Sequence, residues 1–356
     1  MAIKIVLGGA FVLQLAAAVI ALLLNRRYRQ RSAWSLISAA AIVMAVRPFV
    51  SLVILLVEPS VQPAQNLIWT ESLATLLISV LFLAGIAMIE PLFKDLAQAE
   101  EVLRREKHDL EVSVAATEQE MSVARAIQKS LLPEGSPELA GMEIAGSSEP
   151  AEWTSGDYFD YFKVSEDSLL AVVADVSGHG TGPALLMTET RAYVRALAQT
   201  HTDVGEVLTL TNRALAHDIA YGQFVTMFAA WINAETRQLC YASAGHDAYL
   251  LRADGTRQVL ESSSPPLGVV EDLKIPTSPP IDLKAGDLLL LVTDGLNETR
   301  NPAKTQWGVE SVLNNAALHR DQPASTIVEN LFLEAREFRE DTAQEDDNTA
   351  VVIKIG

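Results

Sequence analysis

Four aspartate-bearing segments carry the chemical interest of this 356-residue chain. Asp175 follows the apolar run Leu169-Leu170-Ala171-Val172-Val173-Ala174. Asp294 follows the run Leu288 to Val292, with only Thr293 between, and each of the two is followed by a turn that contains glycine. Asp157 lies in Ser155-Gly156-Asp157-Tyr158-Phe159-Asp160, and Asp346-Asp347 precedes a last apolar run, Thr349 to Ile355. Short continuous apolar runs read as buried strands. A carboxylate held at the end of such a strand is costly unless it meets a cation or hydrogen-bond donors. Hard oxygen ligands, with no Cys or His set at zinc spacing, suit Mg²⁺ or Mn²⁺. Carboxylates converging from four segments could hold two ions, and a two-metal site activates water and clamps a phosphoryl group for in-line displacement. Any one Asp-Gly alone is more often a plain turn, so the weight rests on all four together.

These residues need elements to position them. Ala184 to Ala198 and Val204 to Ile219 have helical period. Phe224 to Ile232, Leu239 to Ala244 and Ala248 to Arg252 read as consecutive antiparallel strands, and Ile327 to Phe338 as a helix. Strands and helices come in blocks rather than in βαβ alternation, which predicts an α+β domain with antiparallel sheets over residues 133–356. About 220 residues suffice for one substantial core.

Residues 92–132 contain no glycine, and Leu96, Leu103 and Leu110 are seven apart, a step continued by Thr117, Ala124 and Leu131. That predicts a connecting helix of about 60 Å with a seam for a partner helix. The intermediate seam positions Ala99, Glu106, Ser113 and Glu120 are poor, so a loose homodimer is expected rather than a tight coiled coil. His108 on this helix could be read as a phospho-acceptor, but no glycine-rich ATP-binding segment follows it.

Residues 1–91 differ in kind. They hold six basic and three acidic side chains, whereas the other 265 residues carry 21 basic and 42 acidic ones. Three apolar runs, about Ile5–Leu24, Ala33–Val57 and Leu67–Ile89, each have the roughly 20 residues needed to cross a bilayer. The first is too long for a signal peptide, and Arg26-Arg27 stand where a small-residue cleavage site would be. Asn25 to Arg31 is rich in arginine, while Glu58 to Asn66 has no Lys or Arg. The positive-inside rule then puts the N-terminus outside and everything after residue 91 in the cytoplasm, a multi-pass protein of the plasma (inner) membrane. Arg47 and Glu71 fall within the second and third runs and are expected to pair. The acidic remainder argues against nucleic acid as a partner, and the single Cys240 against a disulfide scaffold.

Seven motifs in order give a resemblance. They are Ala124-Arg125-Ala126-Ile127-Gln128-Lys129-Ser130-Leu131-Leu132-Pro133, Ser155 to Asp160, Asp175-Val176-Ser177-Gly178-His179-Gly180, Ser243-Ala244-Gly245-His246, Pro266-Leu267-Gly268, Thr293-Asp294-Gly295-Leu296-Asn297-Glu298 and Asp346-Asp347-Asn348-Thr349. Residues 120–356 resemble the SpoIIE-type serine phosphatases, the RsbU-like branch of the metal-dependent type 2C (PPM) phosphatases. The resemblance implies an α-β-β-α sandwich with two Mn²⁺ or Mg²⁺ ions between the sheets. It implies Asp157, Asp175, Asp294 and Asp346 as catalytic metal ligands, with Asp347 in reserve and the Val176 carbonyl completing the set. It implies hydrolysis of phosphoserine or phosphothreonine by water that the ions activate, with no protein nucleophile. The substrate it implies is a phosphorylated anti-sigma-factor antagonist with a STAS fold. Relatives of the eukaryotic sort carry a histidine where Ser177 stands, so a general-acid role for His179 is open. So is the role of His246, which replaces an aspartate that serves a third metal in some relatives.

Other classes remain as alternatives. A non-enzymatic signalling module would keep the fold but not the metals, yet all four carboxylates are present. A diguanylate cyclase has a similar Gly-Gly-Asp loop, but its metal aspartate lies upstream of the loop, whereas Asp175 lies downstream. A transporter would leave the large acidic domain unexplained.

Overall fold

The computed structural model describes residues 2–27, 31–57, 65–219 and 222–356. The chain divides into two compact units, Met1–Ala115 and Ala116–Gly356.

The first unit contains α1 (Ala2–Arg27), α2 (Arg31–Val57) and most of α3 (Gln65–Leu131). Among the described residues, three helices are long and apolar enough to cross a membrane. Their small residues turn inward: Ala10, Ala17, Ala21 and Ala41 are fully buried, while Val43 and Leu81 are 71% and 62% exposed. Small residues at helix contacts and bulky apolar ones outside is the arrangement a hydrocarbon solvent favours. The third apolar run and the connecting segment form one continuous helix that passes through Pro91. Leu96, Leu103 and Leu110 lie exposed along it. The expected Arg47–Glu71 pair lies outside the described residues, because the Glu71 side chain is not among them. Part of the basic loop (28–30) and most of the loop without Lys or Arg (58–64) lie outside them too.

The second unit runs β1 (Met142–Glu149), β2 (Tyr158–Lys163), β3 (Ser168–Val176), α4 (Thr181–Ala198), α5 (Val204–Asp218), β4 (Val225–Asn233), β5 (Gln238–Ala244), β6 (Ala248–Leu251), β7 (Arg257–Leu260), β8 (Ile281–Asp282), β9 (Leu288–Val292), α6 (Asp294–Glu298), α7 (Val309–Leu318), α8 (Ala324–Arg339) and β10 (Asn348–Ile355). Two five-stranded sheets result, ordered β1-β10-β9-β6-β7 and β2-β3-β4-β5-β8. All their ladders are antiparallel. The α+β sandwich expected from the sequence is what forms.

Strand parity builds the layers, because successive side chains point to opposite faces. Phe159, Tyr161, Ala171, Val173, Phe228, Leu289, Leu291, Val351 and Ile353 meet between the sheets. Their neighbours Tyr158, Leu170, Val172, Met227 and Ala229 pack under α4 and α5. Leu288, Leu290, Ala350 and Val352 pack under α7 and α8. Asp203 caps α5, accepting from the backbone N–H groups of Gly205 and Glu206. Across the β2–α4 contact, the wholly buried Asp160 takes two hydrogen bonds from Arg195, at 2.6 and 2.7 Å, and one from the Tyr158 hydroxyl at 2.8 Å. A buried carboxylate with this many donors is fully compensated.

One strand expectation needs correcting. β5 and β6 are not paired neighbours: β5 belongs to one sheet and β6 to the other. The turn Gly245-His246-Asp247 between them carries the chain across the sandwich. Local apolar alternation could not distinguish a hairpin from such a crossing.

Candidate metal centre and active site

The same parity that makes the core places the carboxylates. Asp157 stands one step before β2 on the parity of Phe159 and Tyr161, and Asp175 stands in β3 on the parity of Val173. Thr293 continues the parity of Leu291 beyond β9, and Thr349 that of Val351 in β10. Each strand therefore ends its run of inward apolar residues with an inward polar one, all at one end of the inter-sheet space.

Asp157 is buried, 2% exposed, and its Oδ2 accepts a hydrogen bond of 2.7 Å from the Thr293 hydroxyl. Its carboxyl is pushed well above the usual range, first by burial and then by the charge of Asp175. Hydrogen bonds from Thr349 and Thr293 oppose the rise. Asp175 faces Thr226 across the β3–β4 ladder. Burial and the charges of Asp294, Asp346 and Asp347 push it up to about 7. Asp294 is the first residue of α6. Asp346 is open to solvent at its surface but crowded by protein behind. Desolvation first, then Asp294, Asp347 and Glu298, raise it, against the hydrogen bond that its carboxylate takes from the Asp347 N–H. Among the described residues, no Lys or Arg stands among the leading charges on Asp157, Asp175 or Asp346. The contrast with Asp160 is direct: Asp160 meets the Arg195 guanidinium, whereas the leading charges on Asp157, Asp175 and Asp346 are those of other carboxylates.

Asp347 does different work. Its Oδ1 accepts from the Ala151 N–H at 2.8 Å, and its Oδ2 accepts from the Ser155 hydroxyl and the Gly156 N–H, both at 2.8 Å. It fastens the Ser155-Gly156-Asp157 loop of one sheet to the start of β10 in the other. Gln128, near the end of α3, grips the same loop through both backbone groups of Ser155. Two glycines allow this convergence. A Cβ at Gly156 would come within 3.0 Å of the Val176 carbonyl oxygen, so that oxygen faces the loop. A Cβ at Gly295 would come within 2.1 Å of the Asp347 carbonyl oxygen, closer than real atoms approach.

Ser177 is occupied structurally, its hydroxyl accepting from the Phe224 N–H at 2.9 Å. His179 is 86% exposed, with Nδ1 3.3 Å from a Glu152 carboxylate oxygen. His246 is buried, with Nε2 2.9 Å from the Val292 carbonyl oxygen and Nδ1 3.1 Å from the Thr226 hydroxyl. Gln128, Thr226 and Thr293 had no role from residue type alone. Gln128 and Thr293 lie within quoted motifs, and Thr226 in none.

Among the described residues, no group of three His, Cys, Asp or Glu side chains is arranged to hold a metal ion by itself. The donor chemistry nonetheless fits Mg²⁺ or Mn²⁺. The oxygens are hard, and neighbouring carboxylates raise the proton affinity of Asp157, Asp175 and Asp346, with no Lys or Arg among the leading charges in the described residues. Mg²⁺ in particular keeps several waters and takes only one or two carboxylates.

With this geometry in hand, likeness to known proteins is informative. The family described as stage II sporulation protein E (SpoIIE) matches residues 165–356. The chain is 29% identical over 242 residues to phosphoserine phosphatase RsbU of Bacillus subtilis, covering 66% of this chain and 70% of that protein. It is 26% identical over 246 residues to phosphoserine phosphatase RsbP of the same organism, covering 67% of this chain and 58% of that protein. Among solved structures, the SiaA-PP2C domain of Pseudomonas aeruginosa shares the fold at a TM-score of 0.62 with 22% identity, over 68% of this chain and 99% of that one. The RsbU and RsbW domains of Rv1364c from Mycobacterium tuberculosis align at a TM-score of 0.51 and 26% identity, over 62% of this chain and 61% of that one. The family match covers more than half of the chain and spans β3, Asp294 and the start of β10, and so we conclude that this chain belongs to the SpoIIE family.

Proposed function

We propose that the protein is a membrane-anchored, metal-dependent protein serine/threonine phosphatase of bacterial signalling. The supporting observation is the set of carboxylates drawn from both sheets, of which Asp157, Asp175 and Asp346 are pressed by burial and by neighbouring carboxylates, with no Lys or Arg among the leading charges in the described residues. The family membership and the relatives named phosphoserine phosphatase agree with it. On this reading Asp157, Asp175, Asp294 and Asp346, with the Val176 carbonyl, hold two Mn²⁺ or Mg²⁺ ions. When bound, such ions lower the pKa of water and stabilise charge on a transferring phosphoryl group. The protein's own share is positional. Thr293 fixes the Asp157 carboxylate through its hydroxyl, and Asp347 and Gln128 fix the loop that carries it. Asp346 rather than Asp347 is the ligand, because both Asp347 oxygens are already committed to the loop.

The substrate we infer is a phosphorylated STAS-domain anti-sigma-factor antagonist, by likeness to the RsbU-type relatives. Residues 1–91 are taken as the membrane region, with the N-terminus outside. Residues 92–132 are the connector and 133–356 the cytoplasmic catalytic domain. The exposed leucine seam of α3 suits a homodimer. Full-length protein in detergent with Mn²⁺ should release phosphate from such a phosphoprotein, and Asp175→Asn and Asp294→Asn should each abolish release without unfolding the chain. Turnover retained in either variant would refute the ligand assignment. Absent turnover and absent Mn²⁺ binding in the unaltered protein would refute the function.

A further inference from the structure

The turn that carries the chain from one sheet to the other contains His246, and its ring bridges the two sheets. A carbonyl oxygen only accepts hydrogen bonds, so Nε2, 2.9 Å from the Val292 oxygen, must carry a proton. In the neutral ring Nδ1 is then an acceptor, and the Thr226 hydroxyl at 3.1 Å donates to it. Burial lowers the pKa of the ring and favours this neutral form. The turn is itself fixed: the Ser243 hydroxyl donates to the His246 carbonyl oxygen, and Gly245 bridges to Met227 of β4.

The two ends of the ring reach different halves of the proposed site. Thr226 is the cross-strand partner of Asp175. Val292 is the last residue of β9 and leads directly into Thr293, which holds Asp157, and Asp294. We infer that His246 is a positioning residue for the proposed metal centre, a strut that sets the spacing between the Asp175 side and the Thr293–Asp294 side. Both ring nitrogens are spoken for, so His246 neither ligates an ion nor delivers a proton. This rests on the metal-dependent reading above and adds to it the groups that hold the two halves in register. Groups that orient metal ligands from behind typically change metal affinity or activity by about 10–100-fold when removed.

The test uses full-length protein in detergent and Mn²⁺ alone as the probe. Binding is measured by titration calorimetry, melting of the metal-free protein is measured separately, and kcat and KM on a phosphoserine protein are read in parallel. His246→Leu and Thr226→Val should each weaken Mn²⁺ binding about tenfold or more and lower kcat with KM little changed. Thr226→Ser, which keeps the hydroxyl, should behave as the unaltered protein. The double variant should lose no more than the worse single one, since both cut the same strut. Unchanged Mn²⁺ affinity in Thr226→Val would overturn the inference, as would a melting loss in His246→Leu with affinity intact. If His246→Leu does not fold, the Thr226 pair decides alone. No Mn²⁺ binding by the unaltered protein would overturn the metal-dependent reading and this inference together, whereas equal binding by all variants overturns only the strut.

Discussion

Gln128 grips Ser155 by both of its backbone groups: Nε2 donates to the Ser155 carbonyl at 2.7 Å, and Oε1 accepts from the Ser155 N–H at 2.9 Å. A side-chain amide used this way replaces the pair of hydrogen bonds a neighbouring strand would make. It is buried, and it belongs to the helix that continues from the third apolar segment. The loop it holds ends in Asp157.

Gln128→Leu leaves a buried donor and acceptor of Ser155 without partners, at a cost of about 1–3 kcal/mol each. The Asp157 loop should loosen, and a displacement of about 1 Å can cost about a hundredfold in rate. The expected result is a fall of tenfold or more in kcat on a phosphoserine protein, with the far-UV circular dichroism spectrum unchanged. Gln128→Glu keeps one acceptor and loses the donor to Ser155, so it should be impaired to a similar degree. Full activity in both variants would show that this grip does not matter for turnover.

Asp175 predicts opposite changes in activity and stability. Its carboxyl is pushed from 3.8 to about 7 in the folded, metal-free chain. The folded state then holds the proton more tightly than the unfolded state does, so this contribution is fully present below the unfolded value and lost as pH rises toward 7. Metal-free protein should melt at a lower temperature at pH 8 than at pH 5 through this group. Asp175→Asn should reduce that difference and raise the pH 8 melting temperature, by about 2–4 °C for each kcal/mol recovered, while abolishing activity. Scanning calorimetry of both proteins in a chelator at the two pH values would check it.

Asp346 and Asp347 are adjacent but should fail differently. Asp347→Ala removes the acceptor for the Ala151 N–H, the Ser155 hydroxyl and the Gly156 N–H. It should lower the stability of the metal-free protein by about 2 kcal/mol or more and reduce activity as well. Asp346→Ala removes a crowded carboxylate and should leave metal-free stability equal or higher, with Mn²⁺ affinity lost. Urea titrations and calorimetry on the pair separate the two roles.

A fourth expectation concerns the helix. One residue inserted near Ala115 rotates the two sides of α3 by about 100° relative to each other. Basal phosphatase activity should change. Unaltered activity would argue against signalling through this helix.

Much of the architecture was legible in the sequence. β3 and β9 announced themselves as unbroken apolar runs, and α4, α5 and α8 by helical period. β1 did not, because Met142–Glu149 mixes glycine and serine with few apolar residues, and it is stabilised as an edge strand paired only to β10. The two-residue β8 and the short α6 are products of tertiary contact with no local signature. At the site, residue type and strand position pointed to the aspartates. The division of labour between Asp346 and Asp347 was not readable, since it depends on which carboxylate reaches a loop about 190 positions away. Thr226 was invisible for the same reason, and Thr293, though inside a motif, gave no sign of its bond to Asp157. A threonine in or just after a strand is ordinary, and only the pairing across the sandwich gives these two a task.

The arrangement of the carboxylates has a thermodynamic corollary. Asp157 and Asp175 belong to one sheet, while Asp294 and Asp346 flank strands of the other. Neither sheet alone carries the full set, so the two proposed ions would be bound by the docked sandwich and not by its halves. Each tenfold rise in free ion above the dissociation constant would then add about 1.4 kcal/mol to the resistance of the domain to unfolding. On the metal-dependent reading proposed above, cation starvation would remove a clamp between the sheets along with the reaction, and chain turnover by proteolysis would become a second readout of metal supply.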